Sequence, residues 1–168
     1  LCIRQGTDRK IAISRAVEML DRVRITNAER LLNSFPHEFS GGMRQRILLA
    51  SVLLMEPRLL IADEPTTALD TLAEREVLGL IGELSREMNI AVLLITHNLA
   101  AAARYADSVA VMQTGRIVEG GAARDVLQTP QQDYTRQLVA AVPKPKAART
   151  PSVAAPLVTV DELRVVYP

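Results

Sequence analysis

Two short, uninterrupted apolar runs constrain this chain more than any other feature. Leu59-Leu60-Ile61-Ala62 ends in Asp63 and Glu64, and Ala91 to Ile95 ends in Thr96 and His97. Runs of this length without polar alternation suit strands buried on both faces of a parallel sheet. Between them, Val77, Leu80, Ile81, Leu84 and Met88 recur at helical spacing. Strand, helix, strand in that order is a βαβ unit, whose crossover is normally right-handed. Parallel pairing would bring Asp63, Glu64 and His97 to one sheet edge, where open α/β sheets gather ligands.

The rest of the chain fits around that unit. Ile13, Ala16, Val17, Leu20 and Val23 give an amphipathic helix over residues 11–24. Ser40-Gly41-Gly42 interrupts the pattern, and a second helix is expected from Met43 to Met55, ending before Pro57. After His97 come a short helix to Tyr105, a strand from Ser108 to Met112, a Gln113-Thr114-Gly115 turn and a strand near Ile117-Val118. Two short helices follow, Ala122 to Gln128 and Asp133 to Ala141. From Pro143 to Pro156 the composition shifts to four prolines with Lys144, Lys146 and Arg149 and no acid, which reads as an extended linker. Leu157 to Val160 and Leu163 to Tyr167 then alternate like strands opening a new domain.

Composition narrows the function classes. Of 168 residues, 48% are hydrophobic and 23% charged, and the net charge is +1. That is too apolar for a disordered chain, and it offers no global basic field, so nucleic acid is not an expected partner. One cysteine, Cys2, cannot form an internal disulfide. No apolar run reaches the roughly 20 residues that span a bilayer. The expectation is a soluble, cytosolic protein whose membrane role, where it has one, comes through a partner.

Three features carry chemistry. An Asp at a strand end can hold Mg²⁺ through water, and a neighbouring Glu can polarise a water for attack on phosphate. Taken alone, Asp63-Glu64 reads better as a charged turn. Ser40-Gly41-Gly42 at a helix start offers free N–H groups and a positive dipole end to a phosphate, although by itself it reads better as an N-cap after a flexible turn. His97 suits a phosphate or water contact, yet a lone His is more often structural.

Their order changes the weighing. Phe39-Ser40-Gly41-Gly42-Met43-Arg44-Gln45-Arg46 closely resembles the signature motif of ATP-binding-cassette (ABC) ATPases. Leu59 to Glu64 resembles their Walker B strand followed by the catalytic Glu, Thr67-Ala68-Leu69-Asp70 their D-loop, and Ile95-Thr96-His97 their switch histidine. Within that family the chain is most similar to the ATPases of oligopeptide and dipeptide importers, through Met43, the block Leu60 to Asp70, and the tail Pro130 to Leu138. That tail departs from the subgroup where Gln132-Asp133 replaces a His-Pro.

The resemblance implies an α/β P-loop NTPase fold of the ABC type, with a parallel sheet flanked by helices. Residues 1–142 would be the C-terminal portion of one cassette, 143–156 a linker, and 157–168 the first strand of a second. It implies ATP and Mg²⁺ as cofactors, Glu64 as general base, His97 on the γ-phosphate and Asp63 toward the metal. Ser40, Gly41, Gly42 and Met43 would contact a nucleotide held by the partner cassette, and Asp70 would communicate across the pair. Tyr167 would stack on adenine in the second cassette. The implied partners are that second cassette, transmembrane permease subunits and, indirectly, a periplasmic or extracellular solute-binding protein. The implied location is the cytoplasmic face of the inner membrane.

No Gly-x-x-x-x-Gly-Lys-Ser/Thr occurs in the 168 residues, so the phosphate-cradling loop is missing. The chain alone is therefore expected not to hydrolyse ATP. Two alternatives stand beside transport: a non-hydrolysing truncated cassette that binds a partner, and a soluble ABC ATPase of another process.

Overall fold

The computed structural model describes residues 6, 8–67, 69–142, 161, 162 and 164. The linker, nearly all of 157–168 with Tyr167, and Cys2 lie outside the described residues.

Among the described residues three helices precede the first strand: α1 (Arg9–Arg22), a single turn α2 (Ala28–Leu31) and α3 (Gly41–Leu53), with a 3₁₀ turn at Pro36–Glu38. Strand β1 (Leu59–Asp63) leads into the long helix α4 (Thr71–Glu87) and strand β2 (Ala91–Ile95). Helix α5 (Leu99–Tyr105), the pair β3 (Ser108–Gln113) and β4 (Arg116–Ala122), and helices α6 (Ala123–Gln128) and α7 (Asp133–Ala141) complete the described chain.

β1 and β2 pair in parallel, from Leu59 opposite Ala91 to Asp63 opposite Ile95. This is the βαβ unit expected from the two apolar runs. β3 and β4 form a separate antiparallel hairpin. Its two-residue turn has both Thr114 and Gly115 at positive φ, 46° and 77°. That sense matches the right-handed twist of the flanking strands.

The main core lies among α1, α3, α4 and one face of the parallel pair. Val23, Leu53 and Val77 are 0–1% exposed, and Leu49, Leu60, Leu80, Ile81, Leu84 and Ile90 pack with them. Burying one such leucine stabilises the fold by about 2 kcal/mol. Outside the core, Arg22–Glu87 (2.8 Å), Arg24–Glu83 (2.6 Å) and Arg46–Glu76 join the first half of the chain to α4. The Arg22 and Arg24 pairs are solvent-accessible, and such pairs contribute up to about 1 kcal/mol each.

The structure corrects the sequence reading in three places. On α1 the buried positions are Ala12 and Met19, while Ile13 is 43% exposed; Leu20 and Val23, which the spacing placed inward, do pack in the core. The polar stretch before Phe35 contains the extra turn α2. Most consequentially, β1 and β2 are not covered on both faces. Leu60 and Ala62 are buried, but Leu59 (52%), Ile61 (60%), Leu93 (50%) and Ile95 (46%) are exposed. Among the described residues no second layer lies on that side.

Candidate active site

The site grows from the ends of β1 and β2. Parallel register puts both carboxyl ends at one edge, and the ladder continues one step further, with the Glu64 N–H donating to the Ile95 carbonyl at 2.9 Å. At Glu64 the backbone turns into the left-handed region, φ 42°. A non-glycine residue there stores strain of about 1–2 kcal/mol, and such strain clusters at functional sites. The turn closes with the Thr67 N–H on the Glu64 carbonyl at 3.1 Å.

That geometry brings Glu64 and His97 together across 33 residues of sequence. His97 Nδ1 lies 2.9 Å from Glu64 Oε1, and the Thr67 hydroxyl donates to Glu64 Oε2 at 2.8 Å. The bond from His97, above all, and then the bond from Thr67 hold the Glu64 carboxyl below the ordinary glutamate range. An ionised carboxylate only accepts, so Nδ1 must carry the proton. Nε2 is left to face a ligand. Both Glu64 oxygens keep further lone pairs, so the pair can also accept from a water.

A cleft of about 230 Å³ opens here, lined by Glu64, Thr66, Thr67, Leu69, Glu74, Thr96 and His97. Asp63, at the last position of β1, is exposed beside it. Among the described residues no cluster of three metal-ligating side chains exists. A cation at Asp63 would therefore take one carboxylate from this chain and complete its shell with water and ligand oxygens, as Mg²⁺ habitually does.

Ser40, Gly41 and Gly42 do not line this cleft. They start α3, where Ser40 is the N-cap and its hydroxyl oxygen accepts from the Met43 N–H at 3.3 Å. The hydroxyl proton remains free to donate. A side chain on Gly41 would put its Cβ 3.2 Å from Leu69 Cδ2, so glycine also lets the helix start pack against the segment leading to Asp70. Met43 is half-buried against the core. Asp70 caps α4, its Oδ1 accepting from the N–H groups of Leu72 and Ala73, both at 2.9 Å.

Sequence reasoning missed Glu74. It stands in the first turn of α4, where an acid reads as a partner of the helix dipole. In the fold, its Oε1 accepts from Thr66 Oγ1 at 3.3 Å and from Asn98 Nδ2 at 2.9 Å. No periodicity or motif announces that bridge.

Acidic and imidazole groups thus meet at adjacent parallel strand ends, the place where open α/β sheets gather ligands. Comparison with known proteins sharpens the class. The family described as ABC transporter matches residues 5–67. The oligopeptide transport ATP-binding protein OppD of Salmonella typhimurium is 46% identical over 144 residues, 86% of this chain and 43% of OppD. The uncharacterized ABC transporter ATP-binding protein YejF of Escherichia coli is 42% identical over all 168 residues, 32% of its own length. Among solved structures, CbiO1 of Clostridium perfringens, part of the ABC transporter complex CbiONQ, superposes with a TM-score of 0.67. It is 28% identical, over 84% of this chain and 54% of that one. The chain belongs to the ABC transporter ATPase family and is homologous to the OppD proteins over most of its length. It spans less than half the length of these curated relatives.

Proposed function

We propose that this chain is the C-terminal portion of a nucleotide-binding cassette in the ATPase of a peptide-type importer. The observation that carries the reading is the Glu64–His97 pair, 2.9 Å apart at the carboxyl ends of neighbouring parallel strands. OppD is named for oligopeptide transport, and its 46% identity favours transport of peptides or related small solutes over a soluble ATPase of another process.

In this reading Glu64 accepts a proton from the attacking water. His97 donates to Glu64 through Nδ1–H and to the terminal phosphate through Nε2–H, a contact that takes the doubly protonated imidazole because a phosphate oxygen only accepts. Asp63 holds Mg²⁺ through water; when bound, the metal neutralises phosphate charge. Ser40, Gly41, Gly42 and Met43, set apart from the Glu64 cleft, serve a nucleotide held by a second cassette. Asp70 signals between the two. ATP binding closes the pair of cassettes, and hydrolysis releases it to drive permease subunits at the cytoplasmic face of the membrane, served by a solute-binding protein. Among the described residues no helix is long and apolar enough to cross a membrane, which agrees with peripheral attachment.

In this reading the second cassette belongs to the same polypeptide, with 143–156 as linker, 157–168 as its start and Tyr167 as its adenine contact. The YejF match is consistent with this: it runs through all 168 residues, which are 32% of YejF's length. Lacking the Gly-Lys phosphate loop, the 168-residue chain alone does not turn over ATP.

Steady-state Mg²⁺-ATP turnover tests the reading, measured in the protein that joins this chain to a phosphate-loop segment. Glu64→Gln should reduce kcat by about 10²- to 10⁴-fold, the usual contribution of a positioned general base. Unchanged turnover, or Glu64-dependent turnover by the 168-residue chain alone, overturns it.

A further inference from the structure

The Glu64–His97 contact is made by exposed side chains, 45% and 79% accessible. An exposed pair of this kind is too weak to set its own geometry. Something else must fix the distance between the two loops that carry it. Past Glu64 N–H to Ile95, no backbone hydrogen bond joins residues 65–70 to residues 96–98 among the described residues. What joins them is a single side-chain oxygen. Glu74 Oε1 accepts from Thr66, two residues after Glu64, and from Asn98, next after His97.

Each end of this bridge is anchored. Asn98 Oδ1 caps α5 through the N–H groups of Ala100 and Ala101, at 3.0 and 3.1 Å, and the Asn98 N–H donates to Thr96 Oγ1 at 3.0 Å. Glu74 is held in the first turn of α4 by its N–H on the Asp70 carbonyl at 2.9 Å. The side chain is half-buried and forms part of the cleft wall.

We propose that Glu74 is a positioning residue, whose Oε1 locks the loop after β1 to the loop after β2 so that the Glu64 carboxylate meets His97 Nδ1. The inference rests on the reading of Glu64 and His97 as the reacting pair, but the geometry can be measured without turnover. Because both bonds end on the same oxygen, a carboxamide suffices and the charge is not required. Glu74→Gln keeps the bridge and Glu74→Leu removes it.

The test is the tautomer of His97, read from imidazole ¹⁵N shifts of the ¹⁵N-labelled 168-residue chain at a pH where the ring is neutral. The chain has two histidines; His97→Gln assigns the signal, and His37 is the internal control. In the wild type the proton sits on Nδ1, because a carboxylate accepts there. Glu74→Leu should lose that dominance, with Nε2–H becoming the major form, while Glu74→Gln retains it and His37 is unmoved throughout. An unchanged His97 tautomer in folded Glu74→Leu overturns the proposal, as does a Glu74→Gln spectrum matching Glu74→Leu. Should Glu74→Leu lose its helical circular dichroism, Thr66→Val is read instead; it removes one of the two bonds, and an unaltered tautomer there also overturns the bridge. Since no nucleotide is present, this failure is separate from failure of the ATPase reading, which the Glu64→Gln turnover experiment decides.

Discussion

Glu64 concentrates the chemistry of this chain in one side chain, and its environment makes a directional statement about pH. The bond from His97 is the larger cause of its lowered pKa and the bond from Thr67 the next. A carboxyl whose folded pKa is depressed adds stability that is fully present above its unfolded value. That contribution is lost as pH falls through the folded value. The ¹³C titration of the Glu64 carboxyl should therefore have its midpoint below the ordinary glutamate range. His97→Ala should move it upward, and Thr67→Val should move it upward by less. A wild-type midpoint at the ordinary value would mean that the contact is not populated in solution. The place of Asp63, Glu64 and His97 at neighbouring strand ends was legible in the two apolar runs, while their roles were read from the order of the motifs. Glu74 was not, because a glutamate in a first helical turn looks alike whether it faces solvent or bridges two loops.

Among the elements, α4 links the site to the core. Its inward face carries Val77, Leu78, Leu80, Ile81 and Leu84, and its start holds Asp70 and Glu74. The spacing of those apolar residues made the helix readable, since a 17-residue element repeats its period several times. The shorter α1 was found, and Leu20 and Val23 pack inward as its spacing suggested, but Ile13 was placed inward wrongly, because Ile13 and Ala12 fit competing stripes and only the partner α3 decides between them. The caps give α4 a test that separates structure from signalling. Asp70→Ala removes the acceptor for two N–H groups and should cost about 1 kcal/mol in urea unfolding. Asp70→Asn keeps a capping oxygen and should leave the midpoint nearly unchanged. If Asp70 also communicates between cassettes, Asp70→Asn lowers turnover in the joined protein without lowering stability. Equal turnover of Asp70→Asn and wild type would leave Asp70 a cap alone.

At the scale of the whole molecule, the parallel pair presents an apolar face with no cover among the described residues. Apolar runs announce that a strand can be buried on both sides, but the layer that does the burying is a property of the assembled fold, so the run alone could not show it. Leu59, Ile61, Leu93 and Ile95 lie on that face, with Ile61 opposite Leu93 in the ladder. Contiguous exposed apolar surface next to open strand edges drives association. The 168-residue chain should therefore bind a hydrophobic dye and self-associate as concentration rises, seen by light scattering. The double change Ile61→Thr and Leu93→Thr puts β-branched, strand-favouring side chains at both positions while removing apolar area. It should suppress both signals and change unfolding free energy by no more than about 0.5 kcal/mol, the usual range for exposed positions. A loss above about 2 kcal/mol at high dilution would instead show that these side chains are buried within the monomer. In a longer protein whose further layer covers this face, the same two substitutions would each act as core truncations and cost several kcal/mol between them. Comparing the double variant in the two contexts measures how much of the cassette's stability that layer supplies.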